Sequence, residues 1–111
     1  MHASQQFDRL FHALADGSRR RMVERLSRGP ASVTELAEPD GLGLPSALKH
    51  LRVLEDGGIV LSEKVGRVRT YRMQPQALDI IRDWVSGREA ELAKGFDRLA
   101  AAMEAMPEEE S

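Results

Sequence analysis

Apolar residues at helical spacing recur along most of the chain. Over 5–15 they fall at i, i+3, i+4 and i+7, which predicts a helix with one apolar face. A second helix is predicted from Asp16-Gly17-Ser18 to about 28, where Gly29-Pro30 ends it. Further helices are predicted after the capping box Ser32-Val33-Thr34-Glu35, from about 45 to Gly57-Gly58, and from 75 to about 103.

The pattern changes between the last two helices. Residues 59–65 and 67–73 are rich in β-branched residues and predict two strands joined at Gly66, which suits a tight turn. The predicted fold class is therefore mainly α with a β-hairpin, in the order α1-α2-α3-α4-β-β-α5. Two helices joined by a short turn (32–57) and followed at once by a hairpin (59–73) define a winged helix-turn-helix.

Composition places the chain among ordinary folded proteins. It has 111 residues, 41% of them hydrophobic and 31% charged, and is expected to form one domain over 1–111. It has no cysteine, which excludes disulfides and thiolate metal sites. No transmembrane run and no secretion signal are found, so a cytoplasmic location without membrane contact is expected. Residues 104–111 are predicted to form a flexible acidic tail.

The net charge of −2 hides an uneven distribution. Residues 44–73 carry six basic and three acidic side chains, a local charge of +3. Local charge decides what a polyanion meets, because physiological salt screens charges beyond about 8 Å. This segment is therefore the candidate DNA-binding surface.

The helix from 44 divides into two faces on a helical wheel. One face is predicted to pack on the domain and comprises Leu44, Ala47, Leu48, Leu51 and Leu54. The opposite face is predicted to enter a major groove, with Ser46, Lys49 and His50 as donors and Arg52 at the border. An ordinary amphipathic helix with a solvated polar face is the alternative.

The hairpin is the second candidate contact. Strand alternation puts Arg67, Arg69 and Tyr71 on one face, and Lys64 lies near the tip of the opposing strand. Such a basic hairpin can follow phosphates or enter a minor groove. The alternative is an edge hairpin that its arginines keep soluble. Arg19, Arg20 and Arg21 are open to either backbone contacts or a solvated face.

The first and last helices carry more apolar surface than four short helices can cover. A symmetric homodimer is therefore predicted, with the alternative that both stripes pack within one chain. The predicted interface comprises Phe7, Leu10, Phe11, Leu14, Trp84, Leu92, Phe96 and Leu99.

Four segments together resemble the ArsR/SmtB family of bacterial repressors. FHALADGSRRRMVERL (11–26) and SVTELAE (32–38) are similar to its early helices. LPSALKHLRVLEDGGIV (44–60) and KVGRVRTYRM (64–73) are similar to its recognition helix and wing. The resemblance implies a dimer that binds double-stranded DNA and represses transcription by blocking a promoter. Dimerisation through 5–15 and 75–103 is implied as well.

The sequence also departs from that family. Gly17 replaces a usual Pro, and Leu48 replaces a frequent Ser, which suggests that a polar contact has given way to core packing. Ala37 stands where a metal-binding cysteine pair would begin, and the last helix has acidic residues but no histidine. No metal site and no cofactor are therefore expected, while a small-molecule effector is left open.

The sequence predicts no enzyme. His2, His12 and His50 have no nucleophile–base pair near them in sequence, and no phosphate-binding loop is present. The leading function is a dimeric regulator that reads a palindromic operator with 44–57 and the wing. The alternative is a winged-helix protein-interaction module that does not bind DNA.

Overall fold

The computed structural model describes residues 3–107, with side chains from residue 5 onward. The elements are α1 (Ala3–Leu14), α2 (Gly17–Leu26), β1 (Ala31–Ser32), α3 (Val33–Ala37), a one-turn 3₁₀ helix (Glu38–Asp40), α4 (Leu44–Asp56), β2 (Val60–Val65), β3 (Val68–Met73) and α5 (Pro75–Ala105). The described residues fall into two compact units that divide between Leu78 and Asp79. The predicted order of helices and hairpin is confirmed, with β1 as an addition.

Side-chain caps fix where α2 and α3 begin. The Asp16 carboxylate accepts a hydrogen bond from the backbone N–H of Arg19 at 3.1 Å, which starts α2. At α3, the Glu35 N–H donates to Ser32 Oγ at 3.3 Å, and the Ser32 N–H donates to Glu35 Oε1 at 3.3 Å. The predicted capping box is therefore confirmed. Helix α2 ends at Leu26, two residues earlier than predicted.

The C-terminal end of α4 is closed by backbone geometry. The N–H of Gly58 donates to Glu55 O at 2.9 Å, and the N–H of Ile59 donates to Leu54 O at 3.0 Å. Gly58 has φ +75, so the pattern is a Schellman motif with its left-handed residue in place. This turn leads the chain directly from α4 into the hairpin. Leu54 and Ile59, which the turn joins by a hydrogen bond, are both buried.

The three strands form one antiparallel sheet in the order β1-β3-β2. β2 and β3 pair from Val60 with Met73 to Val65 with Val68, and the two residues between them make the turn. In that turn Gly66 has φ +63 and Arg67 does not have positive φ, as in a type II′ hairpin. β1 adds two residues to β3, a pairing across the sequence that local pattern does not reveal.

The core of the first unit lies between α1, α3, α4 and the base of the hairpin. Its most deeply buried large side chains are Leu10, Leu51, Leu54, Ile59 and Val60. Leu10 is 1% exposed, so the prediction that it lies at a dimer interface is wrong. Its side chain faces the protomer's own interior, while its neighbour Phe11 is exposed.

Helix α5 has 31 residues and is about 46 Å long at the standard helical rise. Ala77 is its only buried side chain, although several large apolar residues lie beyond Leu78. The helix continues through Ala105, so the predicted flexible tail is wrong for residues 104–105. The part of that prediction at 108–111 lies outside the described residues. Across residues 3–107, no helix combines the length and the apolarity that crossing a membrane requires.

Candidate nucleic-acid interface

Helix α4 docks through a narrow strip of its surface. Its buried side chains are Ala47, Leu51 and Leu54, at the spacing that joins one helix face. Among the predicted DNA contacts, Ser46, Lys49 and Arg52 are exposed. The helix thus presents basic and polar groups to solvent along its outer side, beginning in its first turn.

The predicted burial is wrong for two leucines of this helix. Leu44 and Leu48 are 52% and 39% exposed, although the sequence predicted that both pack on the domain. The docked face instead bears Ala47, Leu51 and Leu54, and α1, α2 and α3 all contact this helix. The expectation that Leu48 contributes core packing is therefore corrected, and it belongs to the outer surface.

His50 is half-buried and bound within the protein. Its Nδ1 lies 3.2 Å from Arg19 Nη1 and 3.9 Å from Asp16 Oδ2. Because a guanidinium group only donates, Nδ1 accepts in this contact and the ring proton resides on Nε2. The prediction that His50 contacts DNA stays a prediction, and only its Nε2 is left for that contact.

The three arginines of α2 make contacts within the protein, and whether any of them also contacts a DNA backbone stays a prediction. Arg19 donates to the carbonyl oxygens of Ala13 at 2.7 Å and His12 at 3.1 Å, at the end of α1. Arg20 donates to Leu14 O at 2.9 Å, and Arg21 pairs with Asp40 at 2.7 Å. The Arg21 hydrogen bond lowers the pKa of the Asp40 carboxyl group. These contacts join α1, α2 and the turn before α4.

The sequence carries a signal for these contacts, because basic side chains often donate to the unpaired carbonyl oxygens at the C-terminal end of a helix. Arg19 and Arg20 follow the end of α1 by a few residues, in reach of its unpaired carbonyl oxygens. What the sequence could not show is that one of these arginines would also reach the recognition helix, 31 positions away.

The hairpin carries its basic side chains at the tip. Lys64 and Arg69 are directly opposite each other in the register of β2 and β3, so they share one face. Arg67 lies in the turn, and all three are exposed. Arg69 also donates to Ser62 Oγ at 2.9 Å, which holds its guanidinium over the hairpin.

The face that bears Lys64 and Arg69 continues to Tyr71, which confirms the predicted alternation for Arg69 and Tyr71. Arg67 lies in the turn before β3, so its predicted place on that strand face is wrong. Burial raises the pKa of the Tyr71 hydroxyl. A shallow groove between α4 and the hairpin is lined by Leu48, Arg52, Glu55, Asp56, Arg69 and Tyr71. The recognition helix and the wing therefore form one continuous surface.

No group of three or more His, Asp or Glu side chains close enough to hold a metal occurs within residues 3–107. Metal independence and the absence of a cofactor stay predictions. The geometry instead places α4, the exposed second helix of a helix-turn-helix, directly before a basic wing. Fold and surface together define the class, a winged helix-turn-helix DNA-binding protein.

Comparisons with known proteins specify this class further. The family model for a helix-turn-helix domain matches residues 14–63. The HTH-type transcriptional regulator Rv2034 of Mycobacterium tuberculosis is 41% identical over 75 residues, which cover 68% of this chain and 70% of the relative. A probable mercury resistance operon repressor of Streptomyces lividans is 31% identical over 74 residues, covering 66% of this chain and 59% of the relative.

Solved structures agree with these relatives. The crystal structure of an ArsR family transcriptional regulator, RHA00566, has a TM-score of 0.78 and 39% identity, covering 83% of this chain and 95% of that one. The solution structure of a homodimeric winged helix-turn-helix domain from Mycobacterium bovis, a possible ArsR-family regulator, has a TM-score of 0.64 and 26% identity, covering 79% of this chain and 82% of that one. The chain belongs to the ArsR/SmtB family. It is a DNA-binding transcriptional regulator and not an enzyme.

Proposed function

We propose that this protein is a homodimeric repressor that binds a palindromic operator with α4 and the wing. The observation that carries the proposal is the surface shared by α4 and the hairpin. Arg52 of α4 and Arg69 of the hairpin line one groove, and Lys49, Lys64 and Arg67 are exposed on the same two elements. Basic groups on both elements can contact phosphates while the first turns of α4 reach base edges.

The dimer is argued from α5. Its large apolar side chains Trp84, Leu92, Phe96 and Leu99 are all exposed in the single chain. Leu92, Phe96 and Leu99 recur at spacings of four and three, so they form one stripe on the helix. A second copy of this chain supplies a matching stripe, as symmetric dimers do. The homodimeric state of the Mycobacterium bovis domain supports this arrangement.

The same proposal extends to the exposed part of α1. Phe7 and Phe11 stack with ring centroids 6.3 Å apart, and Phe11 is exposed. Phe7 and Leu14 are half-buried, so each keeps some accessible apolar surface. We propose that this surface also packs against the second copy. Two recognition helices then lie about 34 Å apart and read two half-sites of a palindrome.

Repression is the simplest consequence of such binding. A dimer that occupies a promoter excludes the polymerase, and the Streptomyces lividans relative is named as an operon repressor. The DNA-binding step comes first and can be tested by itself.

The test is a fluorescence anisotropy titration with a duplex selected by the purified protein from a random library. Lys49→Ala is expected to weaken binding to this duplex by about 1–3 kcal/mol if the contact is to a base. Arg67→Ala is expected to weaken binding to the selected duplex and to a random duplex alike. It is also expected to reduce the slope of log affinity against log salt by about one. Arg28→Ala removes an exposed arginine beyond α2 and is the matched control.

The outcome separates this proposal from the alternative interaction module. A DNA-binding regulator selects a defined sequence and loses affinity steeply as salt rises. Failure to enrich any sequence, or equal affinity for the three variants and the parent, would overturn the proposed surface. A partner protein captured without DNA binding would favour the alternative.

A further inference from the structure

Two large apolar side chains lie on the exposed side of the recognition helix. Leu44 and Leu48 are exposed on α4, one helical turn apart. Leu48 lines a groove with two basic residues, Arg52 and Arg69, and two acidic residues, Glu55 and Asp56. A partner that covers these leucines gains free energy, because burial removes apolar surface from water. Their position therefore suits a partner that offers apolar groups to the outer side of α4.

The family and the position of the leucines on α4 identify that partner. The chain belongs to a family of DNA-binding regulators, and Lys49 and Arg52 are exposed on the same helix as the two leucines. DNA combines phosphates along its edges with one apolar group on the base edges of the major groove, the C5 methyl group of thymine. Both leucines are in the N-terminal half of α4, the part of a recognition helix that reaches base edges.

We propose that Leu44 and Leu48 read thymine methyl groups in the major groove of the operator. This inference rests on the proposed function and adds the bases that the helix selects. The two side chains are about 6 Å apart along the helix axis, while successive base pairs are about 3.4 Å apart. One leucine on each of two nearby thymines therefore fits the spacing. Lys49 then fixes the register through a base or phosphate.

The test removes only the methyl group. Each thymine of the selected duplex is replaced in turn by deoxyuridine, which keeps every hydrogen-bonding group of the base edge. At one or two positions in each half-site, the parent protein is expected to lose about three- to tenfold in affinity, because one apolar contact is lost. Replacement at other thymines is expected to leave the affinity unchanged.

Variants assign the effect to the side chains. Leu48→Ala is expected to bind the thymine duplex more weakly and to show no further loss on the sensitive deoxyuridine duplex. Leu44→Ala is expected to abolish the loss at the other sensitive position. Leu78→Ala is the matched control, because Leu78 is 49% exposed and lies in α5, outside α4 and the hairpin. It is expected to keep the full thymine preference.

Each outcome decides between the alternatives. If selection yields a defined operator but no thymine-to-deoxyuridine change matters, the inference is overturned while the proposed function stands. If Leu48→Ala and Leu44→Ala retain the full preference, the leucines do not read the methyl groups. If Leu48→Ala instead changes the oligomeric state in sedimentation, a second copy covers the leucines and the inference is wrong. Failure to select any sequence overturns the proposed function itself.

Discussion

Single side chains hold the recognition helix in place. Arg19 connects the end of α1 with α4, since its guanidinium donates to two carbonyl oxygens of α1 and contacts His50 Nδ1. Hydrogen bonds from a charged donor contribute more than neutral ones. His50 therefore orients the helix from inside, and Lys49 beside it faces solvent. Adjacent residues on one helix thus have separate tasks, one toward the domain and one toward the partner.

Another residue acts by being small. A Cβ on Gly57 would lie 3.0 Å from both Arg9 O and Ala13 Cβ, where α1 crosses the end of α4. Gly57→Ala is expected to lower the free energy of unfolding by about 1–3 kcal/mol, because the backbone of α1 must move. Urea unfolding followed by circular dichroism measures this change.

Gly87 provides the control for that substitution. It lies inside α5 with nothing within 4 Å of an added Cβ. Gly87→Ala is expected to leave stability unchanged or to raise it by about 0.5–1 kcal/mol through helix propensity. Equal unfolding midpoints for Gly57→Ala and the parent would contradict the close approach of α1 and α4.

At the scale of elements, carboxyl groups take part in the N-terminal caps of α2 and α3. The backbone N–H of Arg19 lowers the pKa of Asp16, and that of Ser32 lowers the pKa of Glu35. A carboxyl group whose pKa is lowered by folding stabilises the folded state above its unfolded pKa. That contribution is lost as the pH falls through the folded value. The stabilising contribution of these two caps is therefore lost in acid.

Asp16→Asn tests this pH dependence. Asparagine still accepts the cap hydrogen bond but does not titrate. Below the ordinary Asp pKa of 3.8, the parent is expected to lose stability more steeply than the variant. Urea unfolding between pH 7 and pH 3 measures both curves. Parallel curves over this whole range would show that Asp16 has the same pKa in the folded and unfolded chain.

At the scale of the molecule, the proposed dimer would cover the exposed apolar stripe of α5. An isolated helix gains little stability in water without burying an apolar face, and most of α5 is exposed. Phe96→Asp places a charge in the centre of the exposed stripe and is expected to convert a dimer into monomers. Sedimentation equilibrium measures the mass directly. The affinity for a duplex with two half-sites is expected to fall as the dimer dissociates.

The control for Phe96→Asp uses an equally exposed apolar residue in the hairpin. Val65 at the hairpin tip is 67% exposed, against 66% for Phe96. Val65→Asp is expected to leave the mass of a dimer unchanged. If both variants keep the parent's mass, α5 does not form the interface, and if the parent itself is a monomer, the proposed dimer is wrong.

The sequence by itself determined the features that depend on neighbours along the chain. The capping box at Ser32, the end of α4 at Gly57-Gly58 and the hairpin turn at Gly66 all follow from local backbone preferences, and each is present in the structure. The concentration of basic residues in 44–73 was equally legible, because it is a matter of composition.

Tertiary structure decided which face each helix buries. Leu10 is enclosed while Leu48 is exposed, although both follow apolar spacing, since the depth of burial depends on which element packs against each side. The pairing of β1 with β3 and the contact of Arg19 with His50 join residues about 40 and 31 positions apart. No local pattern encodes such contacts, because folding the chain is what brings these residues together.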